Sequence, residues 1–561
     1  MSGAATRLRA QAVEAARLGQ VAQAKALHQR ALSEAPDDPS IINSAALFFS
    51  KNGETERAVQ LLHRAVALDP CSAEPRLNLA LILTSAGQPE AALALLGGQE
   101  NRLGQTARYW SIRAGAERAL GARRDALASF ARAASLDPGN SRARHGVARM
   151  SLETGLAAAE HYRAVIAAQP GERDAWLGLA QALDAENRVA EATALLETMV
   201  EQAPEWIEAL ELLAQLRWAS GDREQFARHY AAAVECAGNW QVYASWCRTL
   251  ASVDQHLEAA EVAVAAQRKL GRSAEFALVE ASQLGMAGAN EAAERIFAAL
   301  DAAVPGRLLH EARHRLRTGD PAAAERLATQ MIAADGGDVA AWALRDLAWR
   351  LLGDLRHEWL HGQEGLIASV GLGLEEQELS ALINYLDRLH DASTAPAGQS
   401  VRDGTQTRGG LFDRHEAEAR RIEQAFLDAT GAYRAGLPPP DPEHPLLRHR
   451  DAQWRIAGSW SVRLLDAGRH VPHIHPRGLV SSAAYFAVPP ATCGTGDEQA
   501  GWLELGRPPV DLRLDLPPLA TIEPRVGMCI MFPSTLYHGT REFSAGKRMS
   551  AAIDINLARA A

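Results

Sequence analysis

The sequence predicts two kinds of domain in one chain: a long all-α array of helical repeats, then an all-β barrel or sandwich of short strands. Three observations predict this. Turn-like residues recur at a near-constant interval through the first two thirds. After Trp454 the texture changes to short β-branched and aromatic runs divided by Gly and Pro. Finally, His470, His473 and His475 crowd together in a chain with only 18 histidines in 561 residues.

The repeats come first, because a missed period misreads the whole fold. Gly19, Gly53, Gly87, Gly121 and Gly155 are evenly spaced, and Asn187, Gly221, Gly288, Gly319 and Gly353 continue the series. Five positions after these turns comes a small residue, as in Ala24, Ala58, Ala92, Ala126, Ala192, Ala293 and Ala324. Pro36, Pro70, Pro138 and Pro204 keep a fixed distance after a turn, and Trp110, Trp176 and Trp342 a fixed distance before one. Each unit therefore reads as two antiparallel helices. The turn needs a left-handed backbone, alanine permits close approach, proline ends the unit and tryptophan fills the gap between units. Between residues 222 and 285 the helical pattern continues without the glycine.

This pattern resembles the tetratricopeptide repeat family over about residues 5–355. The resemblance implies a superhelix whose concave face takes a peptide or a partner protein.

A helix over EEQELSALINYLDRL follows, then DASTAPAGQSVRDGTQTRGG (391–410), which has the composition of a loop or linker. A further helix over DRHEAEARRIEQAFLDATGAY is broken by GLPPPDPEHP. The strands expected next are SWSVRLL, LVSSAAYFAV, GWLELG, CIMFP and MSAAIDINL.

Composition narrows the function classes. A net charge of −10 with 47% hydrophobic residues is that of an ordinary globular protein, without the overall basic footprint of nucleic-acid binding. Five scattered cysteines form no Cys-x-x-Cys pair, so a reducing compartment is expected. No apolar run approaches the ~20 residues that span a bilayer, and the N-terminus lacks a secretory core. A cytoplasmic protein is the expectation, with no nucleic-acid or membrane partner.

In an extended chain residues i and i+2 share a face, so His473 and His475 can aim at one point. His538 lies well downstream of His475, across intervening strands. Two close ligands and one distant one make a facial metal site with open positions. Arg548 and Ser550 follow, two positions apart, and a guanidinium fork matches a carboxylate in a bidentate way.

Together His473-x-His475, His538 and Arg548-x-Ser550 resemble the 2-oxoglutarate/Fe(II)-dependent oxygenase superfamily. HIHPRGLVSSAAYFAVP, EPRVGMCIMFPSTLYHGT, RMSAAIDI and QSVRDGTQT resemble its members that follow tetratricopeptide repeats in bacterial proteins. The resemblance implies a double-stranded β-helix (jelly-roll) domain with flanking helices. Its implied division is repeats over 1–355, a helical bridge and linker over 356–411 and an oxygenase domain over 412–561. It implies Fe(II) on His473, His475 and His538, with 2-oxoglutarate and O2 as co-substrates and Arg548, aided by Ser550, clamping the far carboxylate. The catalytic set is then His473, His475, His538 and Arg548.

His475 departs from the family pattern, which has Asp or Glu there. Either three histidines hold the iron, or His475 stands beside a two-histidine site. Tyr485 is a candidate for the co-substrate, with a core tyrosine the favoured reading. Trp460, Arg463 and Trp502 are expected to line the barrel, Gln399 and Arg402 its mouth. His444, His449 and His470 read as surface or supporting histidines. The expected activity is hydroxylation of a protein or peptide side chain presented by the repeats. The alternatives are a small-molecule oxygenase with repeats for docking, or a cupin-like or inactive metal-binding scaffold.

Overall fold

The computed structural model describes residues 3–391, 393, 400–489 and 499–558. The chain divides into two compact units, 1–179 and 180–558.

The first unit consists of helix pairs. Gly19, Gly53, Gly87, Gly121 and Gly155 all have φ between 74° and 82°, the left-handed conformation that a Cβ disfavours. The expected alanines Ala24, Ala58, Ala92 and Ala126 are fully buried where paired helices touch. Helices Val21–Glu34, Thr55–Leu68 and Arg123–Leu136 each end two positions before Pro36, Pro70 and Pro138. Trp110 packs against the core of the first repeats, and both it and Trp176 have a further, local role. Each indole donates to the carbonyl six positions back, Gly104 and Pro170 respectively, tying down the loop before its own helix.

The second unit continues the repeats. Asn187 takes the turn conformation at φ 60°, as its place in the series requires. In the stretch that lacks the turn glycine, Asp254 has φ 64° and stands midway between Gly221 and Gly288. The period is therefore unbroken: Asp tolerates the left-handed region better than most residues. Ala192, Ala293 and Ala324 are buried, and the Trp342 indole again reaches six positions back, to Gly336.

Among the described residues nine strands follow: β1 (Ala368–Gly371), β2 (Val401–Gln406), β3 (Trp454–His470), β4 (Val480–Ala487), β5 (Leu503–Leu505), β6 (Ala520–Ile522), β7 (Met528–Pro533), β8 (His538–Thr540) and β9 (Lys547–Leu557). They form an antiparallel six-stranded sheet in the order β1-β7-β4-β9-β3-β2 and a three-stranded one in the order β6-β5-β8. The all-β expectation for the C-terminal part thus takes the form of two antiparallel sheets. Two of the strands come from upstream of it. The edge strand β2 lies inside the segment expected to be linker, paired with β3 from Val401↔His470 to Gln406↔Val462. Its polar composition suits an edge, where one side of the backbone is unpaired.

One face of the larger sheet is covered by helices Glu376–Asp391 and Ala417–Gly436, through Leu382, Leu386, Ile422 and Phe426. The period-2 alternation of β9 divides its side chains. Met549, Ala551, Ile553 and Ile555 pack in this helix-covered core, while Arg548, Ser550, Ala552 and Asp554 line a cavity on the other face. Tyr485, Leu503, Leu505, Ile530 and Phe532 form a core shared by the two sheets.

Candidate metal centre

The cavity has a volume of about 340 Å³ and is lined by His473, His475, His538, Arg548, Ser550 and Asp554, among others. The histidines arrive from two segments joined by an antiparallel bridge. His473 N–H donates to the His538 carbonyl at 3.0 Å, and His538 N–H to the His473 carbonyl at 2.9 Å. Pairing the backbones directly brings the two rings to a centroid separation of 4.2 Å.

A ligand atom from each of the three rings lies within 4.8 Å of the others. Their hydrogen bonds decide which nitrogen is available. Nδ1 of His473 bonds the Val471 carbonyl at 2.9 Å, Nδ1 of His538 bonds the Leu536 carbonyl at 3.2 Å, and Nδ1 of His475 bonds the Asp554 carboxylate. These partners only accept, so each Nδ1 carries the proton and each Nε2 presents a lone pair. The Nε2 atoms of His473 and His475 face each other at 3.1 Å. One ion bound by both nitrogens would accommodate that distance. Nitrogens ~2.1 Å from one ion at right angles would be ~3 Å apart. The donor set fits a facial site for a divalent first-row metal.

The electrostatics agree. Burial, and then the neighbouring His475, bring His473 down to about 3. Burial, with His473 and His475 beside it, holds His538 well below its ordinary value. Neutral imidazoles can bind a metal at neutral pH without first losing a proton.

Arg548 is buried, with 2% of its surface exposed. Its Nε donates to the Gly501 carbonyl at 3.1 Å and a terminal nitrogen to the Tyr485 hydroxyl at 3.3 Å. Among the described residues no carboxylate pairs with it, and burial lowers its pKa from the ordinary value. An uncompensated buried guanidinium is costly, and it fits an anionic ligand entering the cavity.

Of the other expected residues, Trp460 lines the cavity and Ser550 stands beside Arg548 on its wall. Tyr485 belongs to the inter-sheet core and is not among the cavity's lining residues; its hydroxyl accepts from Arg548 at 3.3 Å. Arg463 does not line the barrel. It turns to the sheet's helix side and pairs with Asp387 at 3.1 Å and Asp391 at 2.8 Å. Trp502 is not among the cavity's lining residues. Arg402 reaches Asp254 of the repeats at 3.1 Å, and Gln399 lies outside the described residues. His444 is a buried structural residue: its ring bonds the Leu360 carbonyl and accepts from the Leu446 and Leu447 amides. His449 accepts from Arg448. His470 lies in the cavity wall, its ring stacked on His473 at 5.9 Å.

Two residues escaped the sequence reading. Asp554 supplies a carboxylate one layer behind His475, and its even spacing from Arg548 and Ser550 on one strand is the available signal. Tyr537, next to His538, packs in a core with Ala312, Leu316, Leu344 and Leu347 of the repeats. Its hydroxyl accepts from Arg313 at 3.3 Å, and Arg313 also forks onto Asp511 at 2.7 and 2.9 Å. Ile474, between two of the histidines, packs against the same core. The last repeats thus form the wall behind the histidines.

Comparison with known proteins bears on this geometry. Residues 458–554 match the family described as "Putative 2OG-Fe(II) oxygenase", and residues 49–115 and 156–216 match the tetratricopeptide repeat. The chain carries tetratricopeptide repeats and a 2OG-Fe(II) oxygenase-family domain. No curated protein matches it. Among solved structures, MamA from Desulfovibrio magneticus RS-1 is 18% identical, covering 31% of this chain and 99% of that one, with a TM-score of 0.28. A thermophilic tetratricopeptide repeat protein of Thermus thermophilus is 25% identical, covering 32% and 99%, with a TM-score of 0.28. PilW, a type IV pilus biogenesis factor, is 17% identical, covering 38% and 100%, with a TM-score of 0.36. No helix among the described residues is long and apolar enough to cross a membrane.

Proposed function

We propose that the protein is a 2-oxoglutarate- and Fe(II)-dependent dioxygenase that hydroxylates a protein or peptide side chain presented by its repeats. The observation that carries this reading is the pairing, in one cavity, of three convergent Nε2 lone pairs with a buried guanidinium that lacks a carboxylate. Imidazole donors suit several first-row metals; the oxygenase-family match favours iron. We further propose the division into repeats over 1–355, a bridge over 356–411 and an oxygenase domain over 412–561, with the two sheets read as a double-stranded β-helix. The bridge lends β1 and β2 to the sheet.

In this reading His473, His475 and His538 hold the metal through Nε2. Asp554 fixes the His475 ring and makes it a stronger donor, so the carboxylate expected at 475 acts from one position further out. Bound iron and 2-oxoglutarate supply the oxidising power, drawn from O2 with loss of CO2 and formation of succinate. Arg548 binds the far carboxylate of 2-oxoglutarate, with the Ser550 hydroxyl beside it and Tyr485 holding the guanidinium in place. The apolar core around Leu503, Ile530 and Phe532 keeps bulk water from the inner end of the cavity.

An anaerobic titration of Fe(II) and 2-oxoglutarate tests the site. A weak visible charge-transfer band should form in the wild type and fail to form in Arg548→Ala. Absence of the band from the wild type would sink the proposal. Incubation with candidate peptides should then yield succinate together with a product heavier by one oxygen atom.

A further inference from the structure

The chain's net charge of −10 conceals a local reversal. Between Ala107 and Met150 stand nine arginines and only three carboxylates. In the first unit this stretch forms helices Ala107–Ala119, Arg123–Leu136 and Ser141–Glu153. Residues three and four apart share a helix face, so Arg142, His145 and Arg149 project together from the third helix, and Gly115 and Arg118 from the first.

These five residues border one cavity of about 280 Å³, which Gln169 and Glu172 also line. Its floor is kept low by glycine. A Cβ on Gly146 would lie 2.4 Å from the Phe130 ring, whereas Gly115 faces open space. The carboxylates nearby are already engaged. Glu153 is shared by Arg123 at 2.8 Å and Arg149 at 2.9 Å, and Glu172 faces His145 at 3.6 Å. Neither Arg118 nor Arg142 has an ion pair with a carboxylate among the described residues. Burial, and then the charges of Arg149, Arg123 and Arg142, lower the Arg118 guanidinium from its ordinary value.

We propose that this cavity is a docking site for an acidic segment of a partner protein, with Arg118 and Arg142 receiving its carboxylates. The proposal deepens the reading that the repeats present a peptide, and names the chemistry of that peptide. Guanidinium forks match carboxylates, and the cavity accepts a short side chain between two helices. A nucleic acid fits less well. Single strands are held by aromatic faces on which bases stack; of the rings here, Phe130 is pressed against Gly146 and His145 faces Glu172.

The test is fluorescence anisotropy with the full-length protein and no added metal or 2-oxoglutarate, so failure of the oxygenase reading cannot imitate failure of this one. The probes are a labelled Glu/Asp/Ser decapeptide, its Gln/Asn/Ser counterpart and a labelled oligothymidylate. The acidic peptide should bind at least ~10-fold more tightly than its amide counterpart, and less so as salt rises past the Debye screening regime. Arg118→Glu with Arg142→Glu should remove that preference, while Arg268→Glu with Arg272→Glu, outside the cavity, should retain it. Far-UV circular dichroism verifies that both variants stay folded. Equal binding of the two peptides, equal loss in the two variants, or tighter binding of the oligothymidylate would each overturn the proposal.

Discussion

Helices Ala107–Ala119 to Ser141–Glu153 and helices Arg307–Arg317 to Val339–Leu352 are written in the same repeat pattern, with left-handed turns at Gly121 and Gly319. Their surroundings differ. The former leave an arginine-rich cavity open. The latter bury Ala312, Leu316, Leu344 and Leu347 with Leu512 and Tyr537 of the C-terminal part. Arg313 and Arg317, equivalent in chemistry to the open arginines, are here neutralised by Asp511 at 2.7 and 3.3 Å. One repeat grammar thus serves as an exposed surface in one region and as the wall behind the three histidines in the other.

The largest expected effect comes from cutting the chain. A chain starting at residue 173 should keep its Co(II) absorption bands and near-UV circular dichroism. One starting at residue 356 should lose both, because it uncovers the apolar side of Tyr537, Leu512 and Ile474. Retention of a Co(II) site by the shorter chain would show that the last repeats are dispensable to the centre.

Next in size are substitutions at the centre. His473→Ala or His538→Ala should abolish Co(II) binding, while Asp554→Asn should weaken it about 10–100-fold by isothermal titration. Unchanged affinity in Asp554→Asn would remove His475 from the ligand set. Arg548→Met should abolish 2-oxoglutarate binding yet leave the thermal midpoint of the ligand-free protein unchanged or raised, since a buried unpaired charge is removed.

Leu344→Ala should cost about 2–5 kcal/mol in the covered region, and Arg118→Glu no more than about 0.5 kcal/mol in the open one. Chemical denaturation measures both, and similar costs would erase the contrast.

The smallest effect is a pH dependence. Burial lowers His229, His310, His390 and His444 to about 4, all in the second unit; His28 is similarly lowered in the first. These groups stay neutral when folded, while the unfolded chain takes up protons below about 6.5. Their stabilisation is therefore complete above pH 6.5 and is lost as pH falls towards 4. Hydrogen-exchange protection factors, which divide out the slowing of intrinsic amide exchange in acid, should fall over that range more in residues 180–558 than in 1–179.

Much of this is legible in the residues themselves. The turn series locates the helix pairs closely, because a left-handed turn tolerates few side chains and the same need recurs with every unit. Asn187 is found that way; Asp254 escapes a search for glycine although it meets the same need. His473 with His475, and Arg548 with Ser550, are legible because a spacing of two selects a face; His538 is legible only through the resemblance of its surrounding motif. Strand β2 is not, since an edge strand draws its order from its neighbour β3 more than from its own composition.

The sequence by itself determined the repeat period, the change to short strands and the chemical kinds of group available at the centre. Each depends on local conformation or on residue identity. Only the tertiary structure decided that Asp554 backs His475, that Arg463 faces away from the cavity, and that Tyr537 joins His538 to the repeats. Those outcomes depend on which backbones pair and which faces are covered. Segments far apart in the chain settle that by burying their apolar surfaces together.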